Sequence, residues 1–266
     1  MMENHSFDNY LGMLAQRGQP AADGFSFDSS GQPLNSNPLD GGFQKAFHLQ
    51  GTCQPGSVTQ SWDSSHEQID GGKMDGFAAT STSAMGYWDE SDLPFYYSLA
   101  KTFCVGDRCF ASAPAQTYPN RRFLYAGTAG GLVSTSATTF SMPAPANGTL
   151  MDMMSKYGVS WRGYFVDLPA LAIIPQTLEN HPLNFATIAQ FYADCLTGQL
   201  PAVSFVDPEF NAVSTVGSPL FSYLNPIVGK IPGLPADVVT QINSLETKVN
   251  AQGASEENPD DIAIGE

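Results

Sequence analysis

The chain has 266 residues, 42% of them hydrophobic and 11% aromatic, which is enough for one large domain or two small ones around a sizeable core. Its 11 basic residues against 26 acidic ones leave a formal net charge of -15, which excludes nucleic-acid backbones and anionic membrane surfaces as natural partners. No stretch approaches the roughly 20 apolar residues of a transmembrane segment, and no basic run followed by an apolar one marks an export signal.

The chain opens on Met2-Glu3-Asn4-His5-Ser6-Phe7-Asp8-Asn9-Tyr10-Leu11-Gly12, an acid, a carboxamide and a hydroxyl followed by an aromatic-rich turn. Glu3 and Asn4 offer hard oxygens of the kind divalent cations take, and Gly12 is read as a residue whose backbone conformation is closed to others. A buried acidic ligand is normally delivered by the end of a strand. Almost nothing precedes Glu3, so that strand is expected outside this chain. From Gly12 to about Met85 the sequence is polar and rich in Gly, Ser and Asp, and it reads as long irregular excursions with one short helix near Ser61–Gln68. Trp62, Phe43, Phe47 and Phe77 argue that these excursions are ordered.

Asp92 is expected to cap a helix with Pro94 in its first turn and Phe95, Tyr96, Leu99 and Phe103 on its buried side. Val105–Phe110 follows as a short strand or extended segment. Leu150–Tyr157 reads as a helix ended by Gly158, and Val159–Val166 as a strand. Asn184–Leu196 is the clearest helix, with Phe185, Ile188, Phe191, Cys195 and Leu196 on one face and Gly198 just past its end. Ala202–Val206 is a short apolar strand, residues 209–233 read as irregular, and Ala236–Val249 as a polar helix before the acidic segment Ser255–Asp261. The alternation of helix and strand is that of an α/β protein. No repeat and no linker divides the chain, so residues 1–266 read as a single domain. Of the four cysteines, Cys53, Cys104, Cys109 and Cys195, the pair Cys104 and Cys109 either closes a short loop in an oxidising compartment or consists of buried free thiols.

Phosphate-binding glycine loops and nucleophile elbows are absent, and His5, His48, His66 and His181 lack metal-binding spacing. Three segments remain that carry chemistry: Glu3 to Asp8; Ser61-Trp62-Asp63-Ser64-Ser65-His66 leading to Gly71–Phe77; and Asp107-Arg108-Cys109-Phe110 followed by Thr117-Tyr118-Pro119-Asn120-Arg121. Taken singly, each has a plainer reading. Glu3-Asn4 is an ordinary turn, Asp107-Arg108 a structural ion pair, His66 a satisfied core histidine, and Thr117 the start of a turn, because Pro119 restricts itself and Tyr118.

Taken together and in this order, the segments resemble a bacterial phosphoesterase family. It includes phosphatidylcholine-hydrolysing phospholipases C, plant non-specific phospholipases C and a group of bacterial acid phosphatases. The family opens Met-Glu-Asn-Arg-Ser-Phe-Asp-His-Tyr-Phe-Gly, matched by residues 2–12 with His5, Asn9 and Leu11 as replacements. Further matches are Gly72-Lys73-Met74-Asp75-Gly76-Phe77, Asp92-Leu93-Pro94-Phe95-Tyr96-Tyr97, Thr117-x-Pro119-Asn120-Arg121, Leu200-Pro201-Ala202-Val203-Ser204 and Ser255-Glu256-Glu257-Asn258-Pro259. The resemblance implies an alkaline-phosphatase-like three-layer αβα sandwich with a mostly parallel central sheet and long ordered loops, incomplete in this chain. It also implies a divalent metal, of unknown identity, on Glu3, Asn4 and Thr117. Thr117 is then the nucleophile, Asn120 and Arg121 are hydrogen-bond donors beside it, and His66 is a candidate acid.

The chemistry suits these residue types. A hydroxyl is a poor nucleophile at neutral pH, and a neighbouring cation stabilises its alkoxide and splits hydrolysis into phosphorylation and water attack. Two departures stand out: Gln60 where many relatives carry His, and Asn258-Pro259 where many carry His-Pro. A carboxamide is no general acid, so leaving-group protonation falls to His66, His181 or water. The family's remaining metal ligands lie in Asp-Glu/Asp-His-Gly-Gly and Asp-His-x-Pro-Pro segments beyond the residue count of this chain. The chain is therefore expected to be an N-terminal fragment that alone neither binds metal tightly nor hydrolyses a chromogenic phosphate ester.

For the intact protein the leading expectation is a phospholipase C that cleaves phospholipid headgroup phosphodiesters through a phospho-threonine intermediate, secreted or periplasmic. The alternatives are an acid phosphatase of soluble phosphomonoesters and a non-catalytic member of the same fold.

Overall fold

The computed structural model describes residues 5–51, 58–209 and 219–252. The chain divides into two compact units, Met1–Ala115 and Gln116–Glu266, each with its own hydrophobic core. Among the described residues no helix is long and apolar enough to cross a membrane.

In the first unit the Ser6 hydroxyl accepts a hydrogen bond from Asn9 N at 3.2 Å and starts α1 (Phe7–Leu11). The stretch expected to be irregular holds a hairpin, β1 (Ser36–Leu39) with β2 (Gly42–Lys45), and then β3 (Phe47–His48). The two-residue loop is Asp40-Gly41, with φ of 49° and 77°, the left-handed pair that a tight hairpin requires. Next come α2 (Trp62–Ile69), whose cap is the Ser61 hydroxyl bonded to Ser64 N, α3 (Phe77–Thr80), and β4 (Gly86–Tyr87), which pairs parallel with β3.

Helix α4 (Pro94–Thr102) ends this unit's regular structure, and its faces are reversed from expectation. Tyr97 and Ala100 are buried with Met13, Leu14, Phe25 and Tyr87, whereas Phe95, Leu99 and Phe103 are exposed. Residues 97 and 100 share one helical face, so the row at 95, 99 and 103 must lie on another. Asp92 does not cap α4. Its Oδ2 accepts from Asp89 N at 3.0 Å and lies 2.7 Å from His48 Nε2.

Residues 105–110 form no strand; 107–108 make a turn between irregular stretches. Asp107 and Arg108 pair with a third residue: Asp107 Oδ2 accepts from Asp23 N at 2.8 Å, and Arg108 Nε donates to Asp23 Oδ2 at 2.7 Å. Cys104, Cys109 and Cys195 are free and exposed, which removes both the short disulfide and the buried thiols, while Cys53 lies outside the described residues.

The second unit runs α5 (Thr117–Ala126), α6 (Leu150–Lys156), β5 (Trp161–Phe165), α7 (Pro175–Asn180), β6 (Phe185–Thr187), α8 (Ile188–Thr197), β7 (Val203–Asp207), α9 (Pro219–Leu224) and α10 (Ala236–Gln252). Strands β6, β5 and β7 form a parallel sheet in that order, so the α/β expectation with a parallel sheet is met. Helix α6 starts with a capping box in which Thr149 and Asp152 satisfy each other's backbone N–H, and Asp152 Oδ1 lies 2.7 Å from His181 Nε2. Gly163 in mid-strand leaves room for Leu171 and Phe185, since a Cβ there would stand 3.0 Å from Leu171 Cδ1.

Four expectations fail here. Residues 185–187, placed in the long helix, form strand β6 against β5. Helix α8 holds the sheet through polar groups: Asp194 accepts from Tyr164 Oη at 2.6 Å, Arg162 Nη1 at 3.0 Å and Gln190 Nε2 at 2.7 Å, while Cys195 and Leu196 face solvent. Helix α10 is amphipathic, with Val238, Ile242 and Leu245 buried in the main core, and α9 occupies part of the stretch expected to be irregular. The polar majority of α10 hid a three-residue apolar stripe at 238, 242 and 245, a spacing of four and three.

These corrected faces make a direct test. Ile242→Ala is expected to lower unfolding free energy by about 2–5 kcal/mol through the cavity it leaves. Leu196→Ala, at a side chain 89% exposed, is expected to change it by less than about 0.5 kcal/mol. Urea titration followed by circular dichroism measures both, and equal losses would contradict the assigned faces.

Candidate active site

Helix α5 brings Thr117, Asn120 and Arg121 onto its first turns. Gln116 before it is extended, Pro119 stands at the third helical position where an N–H would find no intrahelical acceptor, and Gly127 closes the helix at φ 70°. Thr117 thus begins a helix and not an isolated turn, and Tyr118 is helical despite the proline after it. Thr117 is 6% exposed, and its hydroxyl makes no hydrogen bond among the described residues. Asn120 Nδ2 donates to Gln116 O at 3.3 Å, and Arg121 Nη1 donates to Tyr125 Oη at 3.4 Å.

The sheet contributes acids that the sequence reading did not single out. Asp207 is the last residue of β7, and Asp167 lies two residues past β5. Parallel strands put both at the same carboxyl edge, where Phe165 and Asp207 are register partners. Asp207 Oδ2 accepts from Ala170 N at 2.7 Å, and Arg121 Nη1 lies 4.0 Å from Asp207 Oδ1. Burial pushes the Asp207 carboxyl up to about 6, against the opposing pull of the Ala170 N–H and the Arg121 charge. A signal for these acids exists in the sequence: both strands end in the tripeptide Phe-Val-Asp, at 165–167 and 205–207.

The remaining candidates belong to the first unit. His66 is exposed on α2, not a core residue; its Nδ1 donates to Trp62 O at 2.7 Å and its ring lies tilted against Trp62, 4.5 Å between ring centres. That bond fixes the proton of the neutral ring on Nδ1 and leaves Nε2 as an acceptor. Glu3 and Asn4 lie outside the described residues, as do Asn258 and Pro259. Just after them, His5 Nδ1 lies 2.6 Å from Asn9 Oδ1, and Asn9 Nδ2 donates to Gly86 O at 2.8 Å. Gly12 has an ordinary right-handed conformation at φ −56°; a side chain is barred there because a Cβ would stand 2.7 Å from the Phe25 ring. Burial, and then the charge of Asp23, raises the Asp8 carboxyl above its ordinary value.

Among the described residues one His/Asp group converges closely enough to hold a cation: His48, Asp89 and Asp92, whose ligand atoms lie within 4.8 Å of one another. Sequence spacing gave no hint of it. Asp89 is already engaged there, since its Oδ2 accepts from Arg17 Nη2 at 3.1 Å and its Oδ1 from Ser91 N and Oγ. A guanidinium against the carboxylate opposes a second cation, so the cluster is built as a hydrogen-bonded brace. At Thr117, by contrast, the hydroxyl is nearly buried and uncommitted among the described residues.

An α/β unit with an uncommitted hydroxyl on a helix N-terminus, beside buried charge at the carboxyl edge of a parallel sheet, has the layout of a phosphoryl-handling site. The chain belongs to the Phosphoesterase family, whose profile matches residues 1–215. It is 31% identical over 231 residues to non-specific phospholipase C1 of Arabidopsis thaliana, covering 79% of this chain and 42% of that protein. It is 27% identical over 240 residues to the non-hemolytic phospholipase C of Pseudomonas aeruginosa, covering 77% and 34%. With phospholipase C A of Mycobacterium tuberculosis it shares 26% over 249 residues, covering 78% and 48%. The chain therefore spans less than half the length of these relatives.

The Asp207 environment predicts a titration. Infrared or NMR detection of its carboxyl should give a midpoint near pH 6, and Arg121→Met should move it higher by removing the favourable charge. Because the folded value lies above the ordinary 3.8, the native state holds an extra proton between those pH values, and stability falls as pH rises through that window. A midpoint close to 3.8 would show that the carboxyl is not buried as described.

Proposed function

We propose that this protein is a metal-dependent phosphoester hydrolase of the phospholipase C type, acting on phospholipid headgroup phosphodiesters, with Thr117 as its nucleophile. The observation that carries the reading is the nearly buried, uncommitted Thr117 hydroxyl at the N-terminus of α5, with Asn120 and Arg121 in the next positions. The substrate class is drawn from relatives that are all phospholipases C by name.

In this reading Thr117 Oγ1 attacks phosphorus, the diacylglycerol oxygen leaves, and the resulting phospho-threonine is cleaved by water. In the same reading the positive dipole end of α5 would face the phosphoryl oxygens. Asn120 and Arg121 are assigned as hydrogen-bond donors to those oxygens, with Arg121 held in place by Asp207. Glu3, Asn4 and Thr117 are assigned as holders of a divalent cation, which supplies alkoxide stabilisation and charge neutralisation when bound. Leaving-group protonation is assigned to His66 in its imidazolium form, which carries a second proton on Nε2, the ring nitrogen not committed to Trp62 O. His181 is set aside for this role because its Nε2 faces Asp152.

The test compares wild type, Thr117→Ala and Thr117→Ser in the longest reading frame that contains this chain, with a divalent cation present. Phosphatidylcholine in mixed micelles is one substrate and a chromogenic phosphomonoester the other. The expected result is phosphocholine release by wild type, a loss of about 10³-fold or more in Thr117→Ala, and partial retention in Thr117→Ser. Turnover of the monoester alone would point to the acid phosphatase reading. Thr117→Ala activity within tenfold of wild type would remove Thr117 from the mechanism.

A further inference from the structure

Arg122 follows Arg121 on α5, and the helix turns it into the core and away from Asp207. It is 2% exposed, in a unit whose core includes Tyr118, Tyr125, Leu171 and Ile173. Among the described residues its one hydrogen bond runs from Nη1 to the Thr139 hydroxyl at 3.1 Å, and Thr139, itself fully buried, donates its own hydrogen bond to Ile173 O at 2.9 Å. Nε of Arg122 has no partner, and the guanidinium makes no ion pair among the described residues. Arg121, next to it, has both a carboxylate and a phenol.

A buried guanidinium without a counter-charge is among the costliest arrangements in a protein interior, and it stays protonated because a guanidinium is too weak an acid to give up its proton in a protein. Burial alone lowers the pKa of Arg122, with no neighbouring charge opposing or aiding it. A second buried donor in the same unit lacks an acceptor. The Thr177 hydroxyl, 1% exposed, is unpaired, while Thr177 N bonds to Ile174 O, one residue from the carbonyl that receives the Thr139 hydrogen bond. Ordered water would satisfy the hydrogen bonds and leave the charge. An anion satisfies both.

We propose that Arg122, through its buried and unpaired Nε, binds a small monovalent anion of chloride type that neutralises the inside of α5. The closely packed apolar residues around it favour a single halide over a phosphate. The site is separate from the Thr117 reaction and does not depend on that assignment.

Melting of the 266-residue chain in sodium chloride, sodium bromide and sodium gluconate, mixed at constant ionic strength, tests the site. Chloride and bromide are expected to raise Tm saturably by about 2–4 °C over gluconate, the scale of a modest linked ligand on a unit of this size. In Arg122→Met that halide dependence should vanish. If Arg122→Met does not fold, a crystal grown in bromide replaces it, and an anomalous peak within hydrogen-bond reach of Arg122 Nε is then expected. Equal Tm values in the three salts, halide dependence that survives in Arg122→Met, or no bromide peak at Arg122 would each overturn the proposal. A phosphate titration that matches the halides would overturn the choice of a chloride-sized ion.

Discussion

The second unit is organised by one buried carboxylate. Asp207 closes β7, accepts the Ala170 N–H at the start of the turn after β5, and faces Arg121 on α5. A strand, a turn and a helix are thereby referred to the same two oxygens. Burying that acid costs free energy, which is why its carboxyl holds its proton up to about pH 6. The cost is tolerated because the alternatives, a helix anchored only by apolar contacts or an unpaired Arg121, leave the first turn of α5 with several packings of similar energy. Polar pins at a sheet edge trade stability for a defined geometry, and a nucleophile needs geometry first.

The first unit meets a different constraint. It has little sheet and a small core, so its long excursions are tied by hydrogen bonds between distant residues. Asn9 reaches Gly86 O, Asp23 gathers Asp107 and Arg108, and His48 meets Asp92, while Asp89 holds Arg17. Glycines permit the tightest of these approaches; a Cβ at Gly76 would stand 2.0 Å from Glu67 O, which explains a glycine in the Gly72–Phe77 motif without any catalytic role. The motif's other residues agree with that reading. Lys73 pairs with Asp70 at 2.6 Å in solvent.

What the sequence shows and hides follows from these two solutions. Elements with a local signature were readable: the Ser61 cap of α2, the Gly158 and Gly198 stops, the apolar strands β5 and β7. Elements decided by long-range contact were not. Phe185–Thr187 carries helix-compatible residues and becomes a strand only because β5 offers a free edge, and α8 meets Tyr164 through Phe191 and the polar Asp194 while Cys195 and Leu196 of its expected apolar face point to solvent. The hairpin at Asp40-Gly41 was legible in principle, since Asp-Gly between two short runs is a strong turn signal, but the polar strands around it masked it. At the site, Thr117, Asn120 and Arg121 were legible through a motif, whereas Asp207, Asp167 and Arg122 required knowing which edge and which face the chain turns inward.

The charge balance sharpens what the proposed site can accept. With a formal net charge of -15 the protein repels anions at long range, yet the reaction assigned to it brings a phosphate to α5. Beyond roughly 8–10 Å the repulsion is screened at physiological salt, and inside that distance the helix N-terminus and Arg121 govern. A zwitterionic headgroup feels almost none of the long-range penalty and all of the short-range attraction. An anionic lipid surface feels both. In the proposed reading, the acidic composition of this chain adds a penalty for acidic headgroups that choline- or ethanolamine-type headgroups escape, and that penalty fades as salt screens it.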